Sequence, residues 1–122
     1  MALPRSSKFL VGAFVASGAL HLSKPDVYEP LMPAWVPAHR EVILASGVAE
    51  LACALGMVVP RTRGVSGWAS AALLLGVWPG NLQMALDSSR SSSTAFKVAA
   101  WGRMPLQVPL IRAAVAAARS AG

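Results

Sequence analysis

Four apolar runs of about twenty residues, separated by breaks rich in proline, arginine or serine, make up most of this chain. They cover about residues 4–22, 40–58, 64–86 and 99–118. At 1.5 Å rise per residue each is long enough to cross the ~30 Å hydrocarbon layer of a bilayer as a helix. No period-two alternation and no even set of short strands supports a barrel, and a segment in lipid must satisfy its own backbone groups. The predicted architecture is therefore all-α: an integral membrane four-helix bundle forming one domain over 1–122. Arg5 and Lys8 ahead of "FLVGAFVASGAL" also fit a signal peptide cut near Ala16 to Ala19. The next stretch, however, is a short loop and another apolar run rather than the start of a secreted domain, so a retained first span is expected.

The breaks differ in character. "PRTRG" between the second and third runs is short enough only for an antiparallel turn, Pro60 ending one helix and Gly64 opening the next. Residues 23–39 hold Pro25, Pro30, Pro33 and Pro37 with Tyr28 and Trp35, which forbids a long helix and suits an ordered cap at the headgroup level. The third break opens with "DSSRSSSTA", of flexible-linker composition. The following "FKVAAWGR" is expected to form a short interfacial helix before the fourth span.

Composition agrees with a membrane as solvent. Of the 122 residues 55% are hydrophobic and 13% charged, and the mean hydropathy is +0.53. The net charge of +6, from eight Arg and three Lys against five acidic residues, is spread singly between apolar runs. That pattern suits membrane flanks and argues against nucleic acid as a partner. Four crossings place Arg5, Lys8, Arg61, Arg63, Arg112 and Arg119 on one side and Lys24, Arg40, Arg90, Lys97 and Arg103 on the other. The compact Arg-rich turn and N-terminus favour both termini in the cytoplasm. The single cysteine, Cys53, excludes an internal disulfide and a C-x-x-C redox pair.

Polar side chains collect toward one side of the predicted bundle. His21 closes the first span, His39, Arg40 and Glu41 open the second, Asn81 and Gln83 end the third, and Arg103 and Gln107 begin the fourth. Glu50 is the deep member, ten residues and so ~15 Å beyond Arg40. An intramembrane charge costs roughly 2.5–3.5 kcal/mol on insertion scales, so it should face the bundle interior and find a partner. It shares a helical face with Ile43, Ser46, Gly47, Cys53, Ala54 and Met57, whose small members permit close packing. Three roles for Glu50 stay open: a hydrogen-bonded lock between helices, the floor of a cavity for a small ligand such as a quinone headgroup, or a proton relay. Two histidines without a third ligand at helical spacing do not make a metal site. In "GVWPGN" the Gly76–Gly80 spacing suits helix packing, and Pro79 is expected to kink the helix and free a carbonyl. Trp68, Trp78 and Trp101 read as packing or interfacial residues. No serine sits in a nucleophile motif and there is no glycine-rich phosphate loop.

With "KPDVYEPLMPAWVPAHRE", "SGVAELACALGMVVPRTR", "VWPGNLQMAL" and "RMPLQVPLI" following His21 in order, the chain resembles a small DoxX-like membrane protein. The resemblance covers nearly the whole chain and implies a compact four-helix membrane bundle. It matches the family pattern at His21, Pro33, Pro37, His39, Glu50, Asn81, Gln83, Arg103, Pro105 and Gln107, and it associates the chain with membrane redox systems without fixing a reaction. The lack of a cysteine pair departs from any role in autonomous disulfide exchange. The leading expectation, following the resemblance, is a bacterial inner-membrane accessory subunit of DoxX type binding a small ligand or a partner protein in a one-sided polar pocket formed by His21, His39, Arg40, Glu50, Asn81, Gln83, Arg103 and Gln107. The alternatives are a quinone-coupled redox subunit fed by a partner and a non-enzymatic assembly or scaffold protein. A second copy of the chain is a further candidate partner, and a transporter would require one.

Overall fold

The computed structural model describes residues 2–29, 32, 34–90 and 92–120. It contains four long helices, α1 (Arg5–Ser23), α2 (His39–Val58), α3 (Arg63–Ser88) and α4 (Thr94–Ser120), with a 3-10 turn at Pro25–Val27 and no strand among the described residues. The all-α, four-helix expectation holds. Each helix packs on its chain neighbours and α4 closes back on α1. Contacts run antiparallel: Ser17 faces Glu50 while Gly18 faces Gly47, and Gly67 faces Ala118 while Leu74 faces Gln107. The order is thus up-down-up-down.

Small residues set the helix spacing. A Cβ on Gly18 would stand 2.8 Å from the Gly47 carbonyl oxygen, and one on Gly47 would stand 2.8 Å from His21 Cβ. At the other end a Cβ on Gly67 would lie 2.5 Å from the Ala118 backbone nitrogen. These close approaches replace bulky interdigitation with backbone contact. One half of the bundle is filled by Leu10, Phe14, Ala54, Met57, Leu74, Ala113, Ala114 and Ala117. Polar atoms within the bundle are tied to backbone: Ser7 Oγ donates to the Ala113 carbonyl at 2.7 Å and Ser70 Oγ to the Ser66 carbonyl at 2.7 Å.

Two expectations are corrected. The segment 96–103 is not a separate interfacial helix but the first turns of α4, which runs through Pro105 and Pro109. Ser93 Oγ accepts the Phe96 N–H at 3.2 Å, so the helix is capped at the serine run, and no proline interrupts it before Pro105. Arg63, placed in the sequence among the flanking charges of one side, is buried, with Nε donating to the Met57 carbonyl at 2.8 Å and Nη2 to Val58 at 3.4 Å. The guanidinium caps the C-terminal end of α2, whose last carbonyls have no partner within the helix. The turn between α2 and α3 is otherwise as expected, with Thr62 N–H donating to Val59 and its Oγ1 to Gly56 at 2.7 Å.

Among the described residues one helix, α2, is long and apolar enough to cross a membrane by length and composition. The others are diluted by polar residues: Arg5, Lys8 and His21 in α1, Asn81, Gln83 and Asp87 in α3, Lys97, Arg103, Arg112 and Arg119 in α4.

Candidate functional site

Opposite the packed half, the bundle opens into a cavity of about 870 Å³. All four helices line it, and Tyr28, Met32, Trp35 and Val36 of the 24–38 connection contribute to its wall. Residues 23–39 were read as an ordered cap; the described part lies over the cavity, while Pro30, Leu31 and Pro33 fall outside the described residues.

Glu50 is reached through the glycine crossing. Because Gly18 and Gly47 let α1 and α2 approach, Ser17 and His21, four residues apart on α1, both face α2. Ser17 Oγ donates to Glu50 Oε1 at 3.2 Å, and His21 Nδ1 lies 3.5 Å from the same oxygen. His21 Nδ1 is 2.6 Å from the Ser17 carbonyl oxygen, which can only accept, so the proton sits on Nδ1. The imidazole is fixed from its other face by Tyr28, stacked with centroids 4.1 Å apart and planes 8° from parallel. The imidazole and carboxylate are each 13% exposed, which makes this a partly buried, mutually oriented pair.

Tyr28 and Arg103 complete the polar zone. Burial pushes the Tyr28 phenol above its ordinary pKa of 10.0, with Arg103 pulling it back and Glu50 adding to the rise. The phenol is therefore neutral and able to donate. Arg103 is close enough to act on Tyr28 and Glu50 electrostatically, yet among the described residues it makes no hydrogen bond or ion pair. Asn81 Nδ2 is buried against the cavity with no acceptor among the described residues.

Of the eight residues singled out in the sequence, His21, Glu50, Asn81 and Arg103 line the cavity. The other four lie toward the same end of the bundle but outside the lining. His39 opens α2 ahead of the lined stretch, which begins at Val42. Arg40 Nη1 donates to Asp26 Oδ1 at 3.0 Å in an exposed pair that ties α2 to the 3-10 turn. Gln83 Nε2 donates to Asp87 Oδ1 at 2.9 Å, one turn along α3. Gln107 is buried and turned toward α3, donating Nε2 to the Leu74 carbonyl, while its Oε1 has no donor among the described residues. Ser17, Tyr28 and Ser46 were not foreseen as site residues. The four-residue spacing of Ser17 and His21 was a usable signal, whereas the stacking of a loop tyrosine on His21 left no trace in local pattern. Gly76 is also reassigned: it and Gly80 line the cavity, and nothing lies within 4 Å of where a Gly76 Cβ would stand. That glycine makes room for contents rather than for a neighbouring helix.

Fold and cavity together define a small all-helical bundle with a ligand-sized, mainly apolar chamber and a few convergent polar groups. The chain belongs to the family DUF8561, described as a domain of unknown function, whose sequence model matches residues 10–118. No curated protein and no solved structure matches it.

Proposed function

We propose that this chain is a multi-pass bacterial inner-membrane protein of DoxX type, with both termini cytoplasmic, that holds a small amphiphilic ligand in its cavity as an accessory subunit to a partner protein. The observation that carries the ligand reading is the chamber itself. Glu50, His21 and Ser17 are mutually bonded on one wall, Asn81 on the lining carries a buried Nδ2 with no acceptor among the described residues, and the rest of the lining is largely apolar. A buried donor without an acceptor is costly, and a ligand acceptor removes that cost.

The membrane reading is supported by the outer surface. Phe9 on α1, Leu55 on α2, Val65 and Leu75 on α3, and Val108 on α4 are each between 60% and 77% exposed. Large apolar side chains this exposed on all four helices suit contact with lipid or protein. Only 22% of the apolar stretch of α2 is buried, unlike the core helix of a water-soluble protein. Half of the packed core is alanine, beside Leu10, Phe14, Met57 and Leu74, while many other large apolar side chains are turned outward.

Native mass spectrometry of the protein extracted gently from its own membrane, wild type beside Glu50→Gln, tests the ligand reading. A small molecule bound to the wild type and lost from the variant is expected. Lipid alone in both, or recovery in the soluble fraction after an alkaline carbonate wash, would overturn the ligand and the membrane reading respectively.

A further inference from the structure

Along α1 and α4 the walls of the cavity turn apolar below a polar band, whereas on α2 Val42, Ile43 and Ser46 precede Glu50. On α1 the lining runs His21, Ser17, Phe14, Leu10, and on α4 it runs Arg103, Leu106, Leu110. These spacings of three and four residues keep each series on one helical face. Leu10 and His21 are eleven residues apart, so the chamber is about 16 Å deep along α1. Below the band formed by His21, Ser17, Glu50 and Arg103 the lining is apolar, which fits a molecule with its polar head held in that band and a single apolar chain lying inward.

The polar groups also specify the sign of that head. Glu50, the acidic group lining the chamber, already receives Ser17 Oγ and faces His21 Nδ1. Three donors there make no hydrogen bond among the described residues: the Arg103 guanidinium, Asn81 Nδ2 and the un-ionised Tyr28 phenol. A guanidinium at the edge of an apolar chamber with no ion pair among the described residues is matched best by an anion able to take two of its N–H groups, as a carboxylate does.

Resting on the ligand reading above, we infer that the natural occupant is a long-chain carboxylic acid, its carboxylate held by Arg103, Asn81 and Tyr28 and its alkyl chain lying toward Leu10 and Leu110. Arg103 is exposed on α4, so replacing it leaves the fold intact.

The test is equilibrium binding of radiolabelled hexadecanoate and of hexadecan-1-ol to the purified full-length protein in a neutral detergent. The expected result is saturable binding of hexadecanoate at least tenfold tighter than the alcohol. Arg103→Gln should abolish that preference while leaving alcohol binding within about twofold, Arg103→Lys should restore part of it, and octanoate should bind more weakly than hexadecanoate. Equal binding of acid and alcohol, or an unchanged preference in Arg103→Gln, overturns the inference. If a neutral short-chain quinone analogue binds saturably and hexadecanoate does not compete, the carboxylate class is wrong and the ligand reading stands. If none of these molecules binds saturably, both fall together.

Discussion

Replacing Gly47 with alanine tests whether the α1–α2 crossing assembles the site. The new methyl would stand 2.8 Å from His21 Cβ, 3.0 Å from the Gly18 carbonyl oxygen and 3.1 Å from Leu22 Cγ. Carbon contacts are comfortable at roughly 3.5–4.0 Å, so the helices must part by about 1 Å. The Ser17–Glu50 hydrogen bond, 3.2 Å long, and the His21–Glu50 approach of 3.5 Å would both exceed bonding distance. Overpacking costs about 1–3 kcal/mol, and loss of a hydrogen bond to a charged group about 1.5–3 kcal/mol. Helix propensity returns about 0.5–1 kcal/mol for Gly→Ala, leaving a net loss of about 1.5–5.5 kcal/mol. The control is Gly12→Ala, where nothing lies within 4 Å of the new methyl and propensity alone acts. Denaturant unfolding in a neutral detergent, followed by far-UV circular dichroism, measures both. The reasoning is refuted if Gly47→Ala is no less stable than Gly12→Ala.

Further outcomes follow from other parts of the molecule. Arg63→Met should destabilise by about 1–3 kcal/mol in the same assay, because the carbonyls of Met57 and Val58 lose their donor, whereas exposed Arg61→Ala should change little. Ala38, the N-cap of α2, has φ 51°, and Ala38→Gly should raise stability by up to about 1 kcal/mol by relieving the left-handed conformation. Tyr28 is the one tyrosine in the sequence, so its phenolate band can be titrated directly. It should ionise above pH 10, later still in Arg103→Gln and earlier in Glu50→Gln. Because the folded phenol holds its proton more tightly than the unfolded one, its contribution to stability is full below pH 10 and is lost as pH rises through the folded value.

How much of this was legible in the sequence depends on the range of the interaction. The helices were marked by runs of apolar residues and by proline, and the turn at 59–62 by its length, so α2 and α3 fall within a residue or two of expectation. Glu50 was recognisable because a carboxylate in an apolar run must find a partner, and its partners proved to be Ser17 and His21 one helix away. Arg40 and Gln83 misled because an ionisable or amide residue near a helix end has nearby partners of its own, here Asp26 and Asp87, that keep it out of the chamber. Arg63 misled in the opposite direction, since burial of a guanidinium depends on carbonyls exposed at the end of another helix.

The two halves of the bundle follow from where small residues meet. Between α3 and α4 the Gly67–Ala118 contact brings backbones together at the end where Ala113, Ala114 and Ala117 fill the interior, leaving no space. Between α1 and α2 the Gly18–Gly47 contact lies in the other half, and there the facing helices present Gly76, Gly80 and Gly102, glycines that line the chamber. Close approach on one side combined with missing side chains on the other leaves a chamber walled by Ser17, His21 and Glu50. Filling it from α3 should therefore separate contents from fold: Gly76→Leu adds a side chain at a lining position where a Cβ would meet nothing within 4 Å, so the bundle should keep its stability while any bound molecule is expelled. Retention of the ligand in a folded Gly76→Leu protein, read by native mass spectrometry, would place the ligand outside this chamber.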